Sequence, residues 1–153
     1  MKNSIKISII IAILTIFIFS LVFVSRDDDS INVKTTKISA PSGEIQVEIA
    51  DTPSSMQLGL SNRETLASNH GMLFAYTQPN TPGFWMNDMN FPLDMIWIDE
   101  DMKVVGITSN IPVDSFPNSF YPPSPIKFVL ELNAGTAAKM SLATGTQLIF
   151  DNF

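Results

Sequence analysis

Two carboxylates sit inside apolar runs of this chain. Asp94 lies between Leu93 and Met95, just after Phe91-Pro92, and Glu131 lies inside the run 128–132. A carboxylate among apolar neighbours is costly unless it is paired or hydrogen-bonded. Arg63 is the only arginine beyond position 26. Its planar fork suits a carboxylate or a hydroxyl. One reading therefore pairs Arg63 with Asp94 or Glu131 as a structural ion pair. A sharper reading makes Asp94 and Glu131 the general acid and base of an envelope hydrolase acting on glycan or peptide. Strand alternation offers a third reading for Glu131, on the outer face of its strand. Phe84-Trp85-Met86-Asn87 sets two aromatics beside polar groups after a Pro/Gly loop. Trp85 there is either core or a stacking face for a ligand. The ligand-facing candidates are thus Arg63, Trp85, Asn87, Asp94 and Glu131, with no residue assigned to catalysis.

Other chemistries find little support. The chain has no cysteine, which removes disulfides, thiolate zinc sites and Cys nucleophiles. Its one histidine, His70, stands before a glycine and reads as a loop residue; no Gly-x-Ser-x-Gly elbow accompanies it. Asp99-Glu100-Asp101 lacks the spacing of a calcium loop and reads as a solvated hairpin tip. No metal and no cofactor is expected.

These residues need elements to hold them. Ile45, Val47 and Ile49 alternate with Glu44, Gln46 and Glu48, the pattern of a half-buried strand. A weaker strand is expected over 33–38. Thr52-Pro53 reads as an N-cap with proline at the first helical position, opening a short helix over 53–60 that Gly59 weakens. Strands are expected over 72–76, 95–98, 103–107, 128–132 and 147–150, with another strand or extended segment beginning at 84–86 and 99–102 as a hairpin turn. A second short helix is expected over 136–142. The segment 109–125, with five prolines, reads as a long loop, either functional or loosely ordered. The fold class is mostly β with one or two short helices (α+β), a compact single β-sheet or barrel-like domain.

The first 24 residues differ in kind. Residues 7–24 are mostly Ile, Leu, Phe and Val. At 1.5 Å per residue they span roughly 27 Å, close to a bilayer core of about 30 Å. Lys2 and Lys6 precede the run, so the positive-inside rule puts the N-terminus in the cytoplasm. The run is longer than a signal-peptide core and lacks a small-x-small cleavage site. The expected organisation is a cytoplasmic terminus at 1–6, a transmembrane signal anchor at 7–24, a linker at 25–32 and an extracytoplasmic β-rich domain at 33–153. That places the protein in the plasma (inner) membrane with a single pass. From Asp27 onward fifteen acids face six bases, a formal charge of about −9. Nucleic-acid binding rests on Lys and Arg against phosphate, so no nucleic-acid partner is expected. The expected partners are the membrane, through the N-terminal helix, and either a small molecule or an envelope protein, the latter docking on the Pro-rich loop.

Several segments carry a resemblance. They are Met56-Gln-Leu-Gly59-Leu60-Ser-Asn-Arg63, Gly71-Met72-Leu73-Phe74, Phe84-Trp85-Met86, Phe91-Pro92-Leu93-Asp94 with Ile98-Asp99, and Val129-Leu130-Glu131-Leu132 with Ala134-Gly135. In this order, over about 47–150, the chain resembles the domain of unknown function 192 family, a group of small, mainly extracytoplasmic prokaryotic domains. The resemblance implies a compact, mostly β fold and no settled activity. It also implies that the family's recurrent polar positions fall on Arg63, Asp94 and Glu131, with Trp85 as the aromatic. The chain departs from the family in two places. Asn87-Asp88-Met89 replaces the common Lys-Asn-Thr, which removes a positive charge. The cysteines many members carry before the Val-Leu-Glu strand are missing.

Overall fold

The computed structural model describes residues 33–151. The anchor expected at 7–24 and the linker at 25–32 lie outside the described residues. Among those described, no helix is long and apolar enough to cross a membrane.

The domain is mostly β: one seven-stranded sheet with two short helices. In chain order the elements are β1 (Thr35–Ala40), β2 (Gly43–Ala50), α1 (Pro53–Leu58), β3 (His70–Asn80), β4 (Leu93–Ile98), β5 (Val104–Ile111), β6 (Ile126–Asn133), α2 (Thr136–Lys139) and β7 (Ile149–Phe150). Across the sheet the order is β5-β4-β6-β3-β2-β1-β7. Only β2 and β3 run parallel, and α1 supplies their crossover. The segment before β7 also bonds to the start of β5, through Val104 N to Thr146 O (2.9 Å) and Leu148 N to Met102 O (3.0 Å). The two ends of the strand order are therefore hydrogen-bonded to each other through the chain between α2 and β7.

Side chains leave the sheet on two faces, and both faces are covered. Ile38, Ile45, Val47, Leu73, Ile96, Ile98, Phe128, Leu130 and Leu132 form one core with Leu148 and Phe150. Met72, Phe74, Met95, Trp97 and Val129 form the other, roofed by Leu60, Phe84, Met86 and Ile111. All six residues of β4 are buried, as expected of a central strand covered on both sides.

Local chemistry sets the breaks. Thr52 caps α1: its Oγ1 accepts from Ser55 N (3.2 Å), and its own N–H donates to Ser55 Oγ (3.1 Å). The helix stops at Leu58, short of the expected Leu60, because Gly59 takes φ +52° and swings Leu60 into the core. Likewise α2 ends at Lys139 rather than 142, and Ser141 (φ +56°) turns the chain. Residues 84–86 make a single bridge rather than a strand, Phe84 pairing with Phe120. The Pro-rich segment 109–125 is less loop-like than its composition suggests. β5 runs on to Ile111, a 3-10 turn covers Val113–Ser115, and Phe84 and Phe120 exchange both backbone hydrogen bonds at 2.9 and 2.7 Å.

At Gly71 β3 and β6 leave no room for a side chain. A Cβ there would meet Glu131 O and a Leu132 methyl, each at 2.7 Å. Gly71→Ala should therefore cost about 2 kcal/mol or more of folding free energy. Urea denaturation reads this directly.

Candidate functional site

Register decides where the two buried carboxylates go. Asp94 pairs with Leu132 and Met95 pairs with Glu131 across β4 and β6. Paired residues share a face and successive residues alternate, so Asp94 and Glu131 leave the sheet on opposite sides. Asp94 lies on the Leu132 side, fully buried. Its Oδ1 accepts from Asn110 N (2.8 Å) and its Oδ2 from Ala137 N (2.9 Å). It staples the end of β5 and the first turn of α2 to β4, a structural role. An acid–base pair needs both carboxyls flanking one bond. The hydrolase arrangement of Asp94 with Glu131 is therefore not built.

Arg63 pairs with neither carboxylate. It forms a bidentate pair with Glu48, Nη1 to Oε1 and Nη2 to Oε2, both 2.6 Å. The side chains are 34% and 28% exposed. The Arg63 bond holds the Glu48 carboxyl below the usual carboxylate range, against the opposing effect of burial. The stability this pair lends is thus present above the ordinary Glu range and lost as pH falls below it. Partial exposure keeps it small, about 1 kcal/mol. Glu48 was missed as a site neighbour because its alternation reads as a solvent-facing residue. Its face is the one that α1 and the 81–92 segment cover.

Glu131 lies on that same face. Glu48, Met72, Glu131 and Met95 form one row across β2, β3, β6 and β4. Glu131 is on the opposite side from Phe128, Leu130 and Leu132, as alternation requires. It is nonetheless only 5% exposed, because this side is roofed too. Among the described residues, none hydrogen-bonds to its carboxyl. Burial pushes its pKa up to about 8. Its oxygens open onto a cavity of about 410 Å³. That volume falls within the roughly 300–1,000 Å³ of small-molecule sites.

The cavity has an aromatic and thioether wall: Phe74, Tyr76, Phe84 and Trp85, with Met56 from α1 and Met89 from the 81–92 segment. Phe74 and Phe84 meet edge to face at 4.9 Å, and Phe84 meets Trp97 the same way at 5.7 Å, which fixes the rings. Trp85 stands at the rim, 53% exposed, so it is not core. Tyr76 is half-buried, and burial followed by the nearby Glu131 charge pushes its pKa up to about 12. Asn87 does not reach this cavity. It lines a neighbouring hollow with Asp88, to which its amide donates at 2.8 Å. Of the five sequence candidates, Trp85 and Glu131 come together; Arg63 and Asp94 are held by other partners. Tyr76, Phe74, Met56 and Met89 join the site unforeseen. Tyr76 and Phe74 carry a signal in retrospect, since both alternate on the Met72 side of β3.

Elsewhere, Asp99 is occupied within its own turn, accepting from Asp101 N (3.0 Å) and Lys103 N (2.9 Å). His70 opens β3 rather than lying in a loop, with Nδ1 2.9 Å from Asn69 Oδ1. No cluster of three or more His, Cys, Asp or Glu suited to a metal occurs among the described residues.

Residues 34–150 match the profile of the domain of unknown function 192 (DUF192), described as an uncharacterised ACR. The chain belongs to the DUF192 family. Two solved structures share the DUF192 fold seen here. One is a Sinorhizobium meliloti protein put forward as a transcription regulator, 31% identical, with TM-score 0.71, covering 77% of this chain and 95% of that one. The other is a Novosphingobium aromaticivorans protein of unknown function, 29% identical, with TM-score 0.67, covering 76% and 84%. No curated protein matches the chain.

Two expectations follow from the separate fates of the carboxylates. Asp94→Ala strands two backbone N–H groups in the interior and should cost about 3–5 kcal/mol of stability, read by denaturant titration. Glu131 behaves oppositely. The folded state keeps its proton up to about pH 8, while the unfolded chain loses it near 4.5. Folded protein thus binds the extra proton between these values, and stability falls as pH rises, by up to roughly 1.4 kcal/mol per pH unit. Glu131→Gln should remove that slope and leave the variant more stable than the parent at pH 8. Denaturant midpoints at pH 5 and 8 compare the two.

Proposed function

We propose that this DUF192 protein is a non-enzymatic binding module of the cell envelope, which takes a small organic ligand into the cavity over Glu131. The observation that carries the reading is Glu131 itself: a buried carboxyl, without a hydrogen-bond partner among the described residues, opening on an aromatic wall. Its oxygens reach the open cavity and are not sealed in the core. A ligand can meet them there, and Trp85 at the rim offers a face to close over the occupant. The lining holds one carboxyl and no histidine, lysine or arginine; of its hydroxyls, Ser61 donates to Asn87 O at 2.9 Å and Tyr76 stays protonated far above neutral pH. The 7–24 run with Lys2 and Lys6 before it supports a tether in the plasma membrane with this domain outside the cytoplasm. A reporter active only outside the cytoplasm, fused after Phe153, should be active.

The description of the S. meliloti relative suggests gene regulation, but residues 33–151 here carry twelve acids against six bases. That balance opposes phosphate contact.

The test is a thermal-shift screen of the full chain in detergent against amines, sugars, amino acids and short peptides. Binding at a hundredfold excess over Kd adds about 2.7 kcal/mol to native stability and shifts the melting point by several degrees. Trp85→Ala should weaken the binding at least about tenfold while melting unchanged on its own. Undiminished affinity in that variant would remove Trp85 from the site.

A further inference from the structure

We infer that the cavity over Glu131 selects a small organic ammonium ion, tertiary or quaternary, bearing apolar arms. The inference rests on the reading of this cavity as a ligand site and names its ligand class. Three features converge on it. The one carboxyl in the lining is Glu131, at the floor, and no cation lines the cavity; Arg63 on the same face is held by Glu48 through both nitrogens. An anion would meet a carboxyl and no compensating charge. The walls are the rings of Phe74, Tyr76, Phe84 and Trp85 with the thioethers of Met56 and Met89. Ring faces attract cations, most strongly when water is excluded, and they suit alkylated ammonium because its arms are apolar. A hard metal ion needs six or more oxygen ligands, and one carboxyl cannot supply them. The rim repeats the apolar character: Leu58 and Trp85 are both exposed large apolar side chains that line the mouth.

The groups around Glu131 leave it free to answer a cation. From β3, Tyr76 stays neutral far above physiological pH. From β4 and β5 the same row brings Met95 and Thr108, and from β3 it brings Met72, none of them titrating. Glu48 on β2 is neutralised by Arg63. From α1 and the turn after it come Gln57 and Ser61, both uncharged. At neutral pH the carboxyl of the empty domain holds its proton. A bound ammonium ion stabilises the carboxylate, so binding expels that proton to solvent.

Choline and its neutral carbon isostere, in which carbon replaces the ammonium nitrogen, separate charge from shape. Calorimetry on the full chain in detergent should show choline binding at least about tenfold tighter than the isostere at pH 8.5. Choline affinity should rise about tenfold per pH unit below pH 8 and level off above it, with close to one proton released per event at pH 7. Glu131→Gln, checked for an unchanged fold by its melting curve, should lose the preference for choline over the isostere and the pH dependence together. Trp85→Phe should retain part of the preference, whereas Trp85→Ala should not. Equal binding of the two probes, or affinity that falls above pH 8, would overturn the ammonium assignment and make Glu131 a protonated donor to a neutral ligand. Binding of other screened compounds with neither probe bound would also overturn it and leave the cavity a ligand site. No binding by any compound in the screen would overturn the ligand-site reading itself.

Discussion

The centre of this domain is a set of strands that have no solvent side. β4, nearly all of β6 and the Gly71–Phe74 stretch of β3 are buried on both faces, so each polar side chain they carry must be served inside the protein or bear the cost of desolvation. The two buried carboxylates meet that constraint in opposite ways. Asp94 receives two backbone N–H groups, and in doing so joins β4 to the end of β5 and the start of α2. Glu131, one step across the register and on the other face, receives none among the described residues, and burial moves its proton affinity towards neutrality. One carboxyl stabilises the fold; the other faces open space.

That space is the product of how the second face is roofed. The parallel pairing of β2 with β3 demands a crossover, and the crossover is α1 with the chain to Asn69, which lays Met56 and Leu60 over the sheet. The 81–92 segment comes from the far side and is pinned to the Pro-rich stretch by the paired hydrogen bonds of Phe84 and Phe120. Gly83 lets this happen: a Cβ there would strike the Tyr121 ring at 2.9 Å. The two covers do not meet completely, and the gap between them exposes Glu131 at its floor and Trp85 at its rim. The cavity is therefore a seam between two pieces of roof, with walls fixed by edge-to-face ring packing.

The Arg63–Glu48 pair sits at the β2 end of the same row. It neutralises the second carboxylate on this face. With Asp94 on the other side of the sheet, Glu131 has no ion-pair partner among the described residues. In the cavity its neighbours are the uncharged Tyr76 and Ser61 and the aromatic and thioether wall.

Much of this was legible in the sequence. The alternation of Ile45, Val47 and Ile49, the Thr52-Pro53 cap, the hairpin at 99–102 and the family motifs of Arg63, Trp85, Asp94 and Glu131 each depend on neighbours within a few residues, or on short motifs in a fixed order. Those interactions are local, so a linear string encodes them. The sequence also marked Asp94 and Glu131 as costly residues. It could not say which partner relieves each, because that turns on inter-strand register: a shift of one residue exchanges the two faces. Nor could it show that Glu48 and Glu131 lie under cover, since alternation separates two faces of a strand without saying whether the second meets water. The boundaries at Leu58, Lys139 and Ile111 were set by single left-handed residues and by tertiary bridging. The cavity itself, built from α1, β3, β6 and a loop that are distant along the chain, was decided only by the tertiary structure, because it lies between two covers that join only along one side, where Ser61, Asn62 and Arg63 hydrogen-bond to Asn87, Asp88 and Asn90.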